Sequence, residues 1–362
     1  MNILHVIEDY SAKSGGLRTV LSDLNSRLNT QDGVNSFIIS SQKEDQDNIF
    51  LVSNSERNPW QYSRNWKVEI EALIKNNKVN IIHIHGVWMY PQLIAAKIAL
   101  SNKIPFILSP HGMFEPWLWT KGRLKKTVYF NLITRRLFSK ASIIHSITDD
   151  ENLNLKLLFQ HTRLLTIPNL IEFENIKAWK RTVTTDYILY LGRLDEKKGI
   201  DMLIRSFAKL NINKKVHLKI AGGFNNYKLK LDQLINSLGI QKKVQFLGMV
   251  TGDEKKRLYK ESLVFVAPSH SEVVGMVNLE AASMATPVIT TFQTGLKRSW
   301  TSNGGILINP NEKELITALK KVLSWSKSQR DENAKKLYDF VKKEYSWELK
   351  LNDWLKLYSS VI

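Results

Sequence analysis

The chain has 362 residues, 43% of them hydrophobic, enough to bury two cores of ordinary size rather than one. It contains no cysteine, which excludes disulfides, thiolate metal sites and cysteine nucleophiles together. With 52 basic against 34 acidic residues the net charge is +18, and that balance points to anionic partners: nucleic acid, a lipid surface or a phosphorylated substrate.

The first residues, MNILHVIEDY, enter an apolar β-rich run directly, with no basic leader or cleavage site, and no apolar run approaches the length of a membrane span. The expectation is a cytoplasmic protein. Residues 2–7 read as a strand of a parallel sheet covered on both faces. A loop, 8–16, leads into an amphipathic helix over 17–28. Gly15 and Gly16 would let the backbone approach a ligand at that helix N-terminus, although they do not match G-x-G-x-x-G, and such a pair is as often structural. Further strands are expected at 36–40, 81–85, 106–109 and 143–146, with helices at 66–75, 91–101 and 123–139 between them. This alternation predicts a doubly wound sheet. His85 and His111 each follow a strand in a His-Gly pair, at the carboxyl edge where open α/β sheets bind ligands. A histidine there is commonly structural; its position shifts His111 toward function.

From Gly112 to Lys140 the composition changes. Met113, Phe114, Trp117 and Trp119 cluster, and residues 120–140 hold seven basic residues, among them Lys121, Arg123, Lys125 and Lys126, with no acidic one. Leu124, Val128, Leu132 and Phe138 have helical spacing. A basic amphipathic helix beside tryptophans suits anionic lipid headgroups; the competing reading is a solvated helix whose apolar face is ordinary core.

A polar stretch, 172–186, looks like a linker. A second alternating series follows, with strands at 187–191, 217–221, 244–247, 263–267, 288–291 and 305–308. Its helices are expected at 200–210, 228–238, 253–261, 275–285, 312–325 and 329–343, and a Trp- and Leu-rich helix closes the chain at 345–358.

The chemistry gathers in two loops of this second series. Glu272 and Glu280 flank Gly275-Met276-Val277 at a strand-to-helix junction, where a helix N-terminus offers free N–H groups and a favourable dipole to phosphate. A carboxylate before the helix can accept from sugar hydroxyls. A second one about a turn and a half into the helix, roughly 8 Å along its axis at 1.5 Å per residue, suits a ribose. Gly275 gives close approach, and the N–H groups of Met276 and Val277 would face a diphosphate. The bland alternative is two surface glutamates. The loop Gly192-Arg193-Leu194-Asp195-Glu196-Lys197-Lys198-Gly199 delivers Arg193 and Lys198 to the same edge, where two cations could neutralise a departing diphosphate; they could instead pair with Asp195 and Glu196 in solvent.

The ordered set Gly15-Gly16, His111, Gly192-Arg193…Lys198-Gly199, Glu272-x7-Glu280 and Pro287-Val288-Ile289 resembles the retaining glycosyltransferases of family four over nearly the whole chain. The resemblance implies an α/β GT-B fold, two Rossmann-like doubly wound domains facing across a cleft. It implies an acceptor-binding domain at 1–171, joined by a crossing helix at 345–362, and a donor-binding domain at 172–344. It further implies that Glu272 faces the donor sugar, Glu280 binds ribose, Arg193 and Lys198 hold the diphosphate, His111 lies near the transferring sugar, Gly15 and Gly16 border phosphate and acceptor, and Met249 and Val250 lie against the nucleobase. The expected reaction is hexosyl transfer, with retention, from a nucleotide diphosphate sugar (UDP first, GDP second) to a lipid-linked or growing surface glycan such as O-antigen, capsule or lipopolysaccharide. The acceptor or membrane side would hold Trp117, Trp119, Lys121, Arg123, Lys125 and Lys126, at the inner face of the plasma membrane. Neither a metal nor another cofactor is expected, since the two cations can do the work of a divalent ion. Three departures stand out. Val274 replaces the usual Phe, Ala285 replaces Gly in the turn before Thr286, and Leu296-Lys297-Arg298 replaces Pro-Glu. Two rival readings are a sugar-nucleotide 2-epimerase of the same architecture, disfavoured by the Gly-Arg…Lys loop, and a nucleic-acid-binding protein, suggested by charge alone without a recognisable motif.

Overall fold

The computed structural model describes residues 1–11, 16–42, 48–53, 58–115, 122–173, 186–210 and 216–362. Gly15, Trp117, Trp119 and Lys121 lie outside these residues, as does most of the expected linker. The chain forms two compact units, one of residues 1–169 with 351–362, the other of 170–350. Among the described residues no helix is long and apolar enough to cross a membrane.

The first unit is built on seven parallel strands: β1 (Asn2–Val6), β2 (Asn35–Ser40), β3 (Ile49–Leu51), β4 (Ile81–His85), β5 (Phe106–Ser109), β6 (Ile143–Ser146) and β7 (Leu164–Thr166). Their spatial order is β3-β2-β1-β4-β5-β6-β7. Every residue of β4, β5 and β6 is buried, as expected of strands covered on both faces. One of those faces packs on Trp66, Ile70, Ala95 and Phe138. The order reverses between β1 and β4, the kind of switch point outside which α/β sheets hold ligands.

The second unit has six parallel strands: β8 (Tyr187–Leu191), β9 (His217–Ala221), β10 (Val244–Gly248), β11 (Val264–Ala267), β12 (Val288–Thr291) and β13 (Ile306–Ile308). Their order is β10-β9-β8-β11-β12-β13, which puts the switch point between β8 and β11. Its sheet is covered by one apolar cluster around Leu203, Phe207 and Leu319 and another around Leu279, Trp300 and Leu337.

Several expectations change. The short edge strands β3 and β7 and the helix Asp149–Leu158 were not foreseen. The basic helix is not one regular α-helix: Arg123–Tyr129 passes into a π-helical turn, Phe130–Thr134, before Arg135–Phe138. That turn splits the expected apolar face. Leu124, Val128 and Leu132 are exposed, Leu124 by 83%, while Phe130 and Phe138 are buried. The face is therefore not ordinary core. The last helix, Trp347–Ser359, begins in the second unit and continues into the first.

Candidate active site

In the second unit, β8 and β11 each end in a loop at the switch point. Gly199 locks the two loops together. Its φ of +65° is one that a side chain rarely adopts, and a Cβ there would lie 2.3 Å from the Pro268 carbonyl oxygen. The His270 N–H donates to the Lys197 carbonyl (2.7 Å), which adds a second tie. Lys198 is thereby brought to Glu272. Its ammonium donates to Glu272 Oε1, which also accepts from Ser269 Oγ (2.7 Å), and the two side chains are only 19% and 10% exposed. The Glu272 N–H donates to the Gln293 carbonyl (2.8 Å), so the backbone of this loop is fixed as well.

The solvated-loop alternative for the two cations does not hold. Asp195 instead accepts from the Lys197 N–H (2.9 Å), and Glu196 pairs with Lys230. Arg193 is exposed and has no ion-pair partner among the described residues. One cation is therefore spent on the carboxylate, and the other stands open to an anion.

The helix behind the loop runs Met276–Ser283, with Gly275 at its start. The Met276 N–H is not free for a ligand, which corrects the expectation above: with Gly275 at φ −80° and ψ 77° it closes a tight turn onto the Val274 carbonyl (3.0 Å). The Asn278 N–H donates to the Gly275 carbonyl (2.9 Å), leaving Val277 as the first-turn residue with no such backbone bond. A Cβ at Gly275 would lie 2.3 Å from Asn278 Nδ2, so a larger residue there would push the Asn278 side chain aside. Glu280, four residues into the helix, is already engaged. Lys255 Nζ lies 2.7 Å from its Oε2, and the Tyr259 hydroxyl donates to the same oxygen (3.0 Å). Met249 is 76% exposed at the end of β10, next to Phe224 at 60% on the β9 side, while Val250 is buried. Lys255, Phe224 and Asn278 are residues that sequence reasoning missed. Asn278 is fully buried, and neither end of its amide has a partner among the described residues.

Two of the three departures have a structural account. Ala285 sits at φ +56°, the left-handed region where glycine would be unstrained, so the replacement acts on the backbone. Lys297 pairs with Glu344 (2.5 Å), and the Arg298 guanidinium lies over Phe292, 5.7 Å from the ring centre.

In the first unit, His111 follows β5 at φ +52°, again left-handed for a residue with a side chain. Its turn is pinned by Glu151, which accepts from the Gly112 N–H (2.6 Å) and the Ile147 N–H (2.7 Å). Burial pushes the Glu151 carboxyl up to about 7. At the β1–β4 switch point Glu8 accepts from Gln92 Nε2 (2.5 Å), and burial raises its carboxyl too. Behind His111 lies a group of buried histidines, His5, His83, His85 and His145. Donor atoms of His5, His83 and His85 lie within 4.8 Å of one another. Both ring nitrogens of His83 and of His85 are already committed to hydrogen bonds, so metal ligation there would cost bonds in place.

Residues 172–337 match the family described as Glycosyl transferases group 1, and residues 14–175 the one described as Glycosyltransferase Family 4. An uncharacterized glycosyltransferase of Methanocaldococcus jannaschii is 38% identical over 165 residues, 44% of this chain and 41% of that protein. The GDP-mannose:cellobiosyl-diphosphopolyprenol alpha-mannosyltransferase of Xanthomonas oryzae is 25% identical over 65% of this chain and 62% of its own length. Both alignments span less than two thirds of the relative. Among solved structures, Anabaena HepE in complex with UDP and glucose superposes with a TM-score of 0.74 at 16% identity, covering 99% of this chain and 100% of that one, a likeness of fold.

Proposed function

The chain belongs to the group 1, family 4 glycosyltransferases, with the two parallel-sheet units of the GT-B fold, and we propose that it transfers a hexosyl unit from a nucleotide diphosphate sugar to a lipid-linked glycan. The observation that carries this reading is the division of labour at the β8–β11 switch point. Lys198 holds Glu272 as an oriented carboxylate, while Arg193, on the same loop as Lys198, is exposed and has no ion-pair partner among the described residues. A fixed carboxylate can accept from sugar hydroxyls. An unpaired guanidinium can take the negative charge that grows on the leaving diphosphate, where preorganised charge is most effective. Lys255 and Tyr259 orient Glu280 for the ribose hydroxyls, and Met249 with Phe224 offers apolar surface to a base. The reaction retains anomeric configuration, and it needs no divalent ion, because Arg193 supplies the positive charge that Lys198, paired with Glu272, does not.

UDP is the first choice of nucleotide, supported by the UDP complex of the structural neighbour; GDP is the second, supported by the mannosyltransferase relative. That relative's diphosphopolyprenol acceptor and the surface of the first unit both favour a lipid-linked acceptor on the inner face of the plasma membrane. Exposed Leu124, Val128 and Leu132 run beside exposed Arg123, Lys125, Arg135 and Arg136, an apolar stripe within a cationic field.

A thermal-shift panel of UDP-, GDP- and ADP-sugars tests the donor, since a bound ligand raises the melting temperature by mass action. Donor turnover by Glu272→Ala equal to that of the native protein would overturn the catalytic assignment. Equal binding to anionic and neutral vesicles would overturn the membrane side.

A further inference from the structure

The buried histidines form two hydrogen-bonded chains, and proton counting orients each of them. The first runs Tyr358 Oη–His83 Nδ1 (2.8 Å), His83 Nε2–Ser109 Oγ (2.7 Å), Ser109 Oγ–His145 Nδ1 (2.8 Å) and His145 Nε2–Ile167 carbonyl (2.8 Å). A carbonyl only accepts, so His145 carries its proton on Nε2. Burial pushes His145 down to about 4, so the ring is neutral and its Nδ1 is a bare acceptor. Ser109 therefore donates to His145 and accepts from His83 Nε2–H, and Tyr358 donates to His83. Every member has one role.

The second chain runs His5 Nδ1–His85 Nε2 (2.9 Å) and His85 Nδ1–His111 Nε2 (2.9 Å). Burial pushes His5 and His111 down to about 3 and His85 well below its ordinary value, so three neutral rings share three protons. Two protons fill the two hydrogen bonds, and the third must sit at one end. If it sits on His5 Nε2, it is a buried N–H without a partner. If it sits on His111 Nδ1, it is at the carboxyl edge of the sheet on an atom that is not among the buried unpartnered ones, and the orphan at the far end is only an unused lone pair. Orphaned buried N–H groups are the rarer and costlier of the two.

We infer that His5 and His85 are positioning residues that fix His111 in its Nδ1–H form, so that His111 meets its ligand as a hydrogen-bond donor to an oxygen, a hydroxyl or a phosphate oxygen, and not as a base. The inference deepens the glycosyl-transfer reading and takes from it only the identity of the ligand. The relay itself stands on the buried chain.

The test is ¹⁵N NMR of the full-length protein with labelled histidine at pH 7.5, each signal assigned by its loss in a His→Gln variant. The expected pattern is opposite in the two chains: His5, His85 and His111 protonated at Nδ1, His83 and His145 protonated at Nε2. A His111 protonated at Nε2, or charged at that pH, overturns the inference. A second measurement separates positioning from packing. In His85→Asn the amide N–H, at the position of Nδ1, still donates to His111 Nε2, whereas in His85→Leu nothing does. His111 should keep its Nδ1–H form in the first and become a mixture of tautomers in the second. Donor turnover should fall about tenfold more in the second, the worth of one hydrogen bond. Identical tautomers and turnover in both variants would leave only packing and refute the relay. The expected tautomers in a protein that turns over no sugar nucleotide would refute the glycosyl-transfer reading and leave the relay intact.

Discussion

Glu151 makes stability depend on pH in a direction opposite to that of most paired carboxylates. It is 1% exposed, and both its oxygens accept backbone N–H groups, yet burial raises its carboxyl from 4.5 to about 7. Glu115 adds a smaller push in the same direction, against the two N–H bonds. A carboxyl raised on folding binds its proton more tightly in the native state than in the unfolded chain. Its contribution is full below about pH 4.5 and declines as pH rises through about 7. At about 1.4 kcal/mol per pKa unit, that decline amounts to ~3 kcal/mol. Glu151→Gln removes the titration. It also turns an amide N–H toward one of the two backbone donors, at a cost of ~1–2 kcal/mol at every pH. Urea unfolding of both proteins between pH 4.5 and 8 gives the comparison. The native protein should lose ~3 kcal/mol relative to the variant across this range, so the variant becomes the more stable one above neutrality. Two parallel curves would refute the reasoning. Because Glu151 pins Gly112 beside His111, the variant should also weaken turnover wherever it folds.

Arg193→Ala should leave unfolding stability within about 0.5 kcal/mol, since the side chain is exposed and unpaired, while affinity for a nucleoside diphosphate drops at least tenfold in calorimetry. Gly199→Ala should destabilise the second unit by more than ~2 kcal/mol in denaturant unfolding, because the new methyl meets the Pro268 carbonyl oxygen in a backbone conformation it also strains. Asn278→Leu replaces an unpartnered buried amide. Its melting temperature should rise by a few degrees, about 1 kcal/mol, and a fall would show that the amide is satisfied in the native state.

The long strands were legible because burial on both faces writes them as unbroken apolar runs such as Ile143 and Ile144 in β6 or Tyr187–Leu191 in β8. The edge strands β3 (Ile-Phe-Leu) and β7 (Leu-Leu-Thr) are apolar too, but at three residues they are too short for periodicity to tell strand from loop. Asp149–Leu158 was missed for a different reason. Its Thr148-Asp-Asp-Glu151 start has the form of a capping box, and Thr148 does accept from the Glu151 N–H (3.0 Å). The Glu151 side chain, however, goes to Ile147 and Gly112 instead of back to Thr148.

Within the site, Glu272, Glu280, Arg193 and Lys198 could be named from spacing, but their partners could not. That Lys198 faces Glu272 and not Glu196 depends on the close approach of Gly199 to Pro268. That Lys255 holds Glu280 depends on how the helix Gly252–Glu261 packs. The histidine chains left one trace in the sequence: His83 and His85 alternate in an otherwise apolar strand, which puts both on one face, and register pairs His83 with His5.

Tyr358 and Trp354 lie near the end of the chain, yet the Tyr358 hydroxyl satisfies His83, and the Trp354 ring packs 4.6 Å from His145. The unit that leaves the ribosome first is thus completed last. Domains ordinarily fold in the order in which they are made, but here the polar face of the first sheet waits for residues 351–362. The contacts of Tyr358 with His83 and of Trp354 with His145 can form only after the second unit has been made.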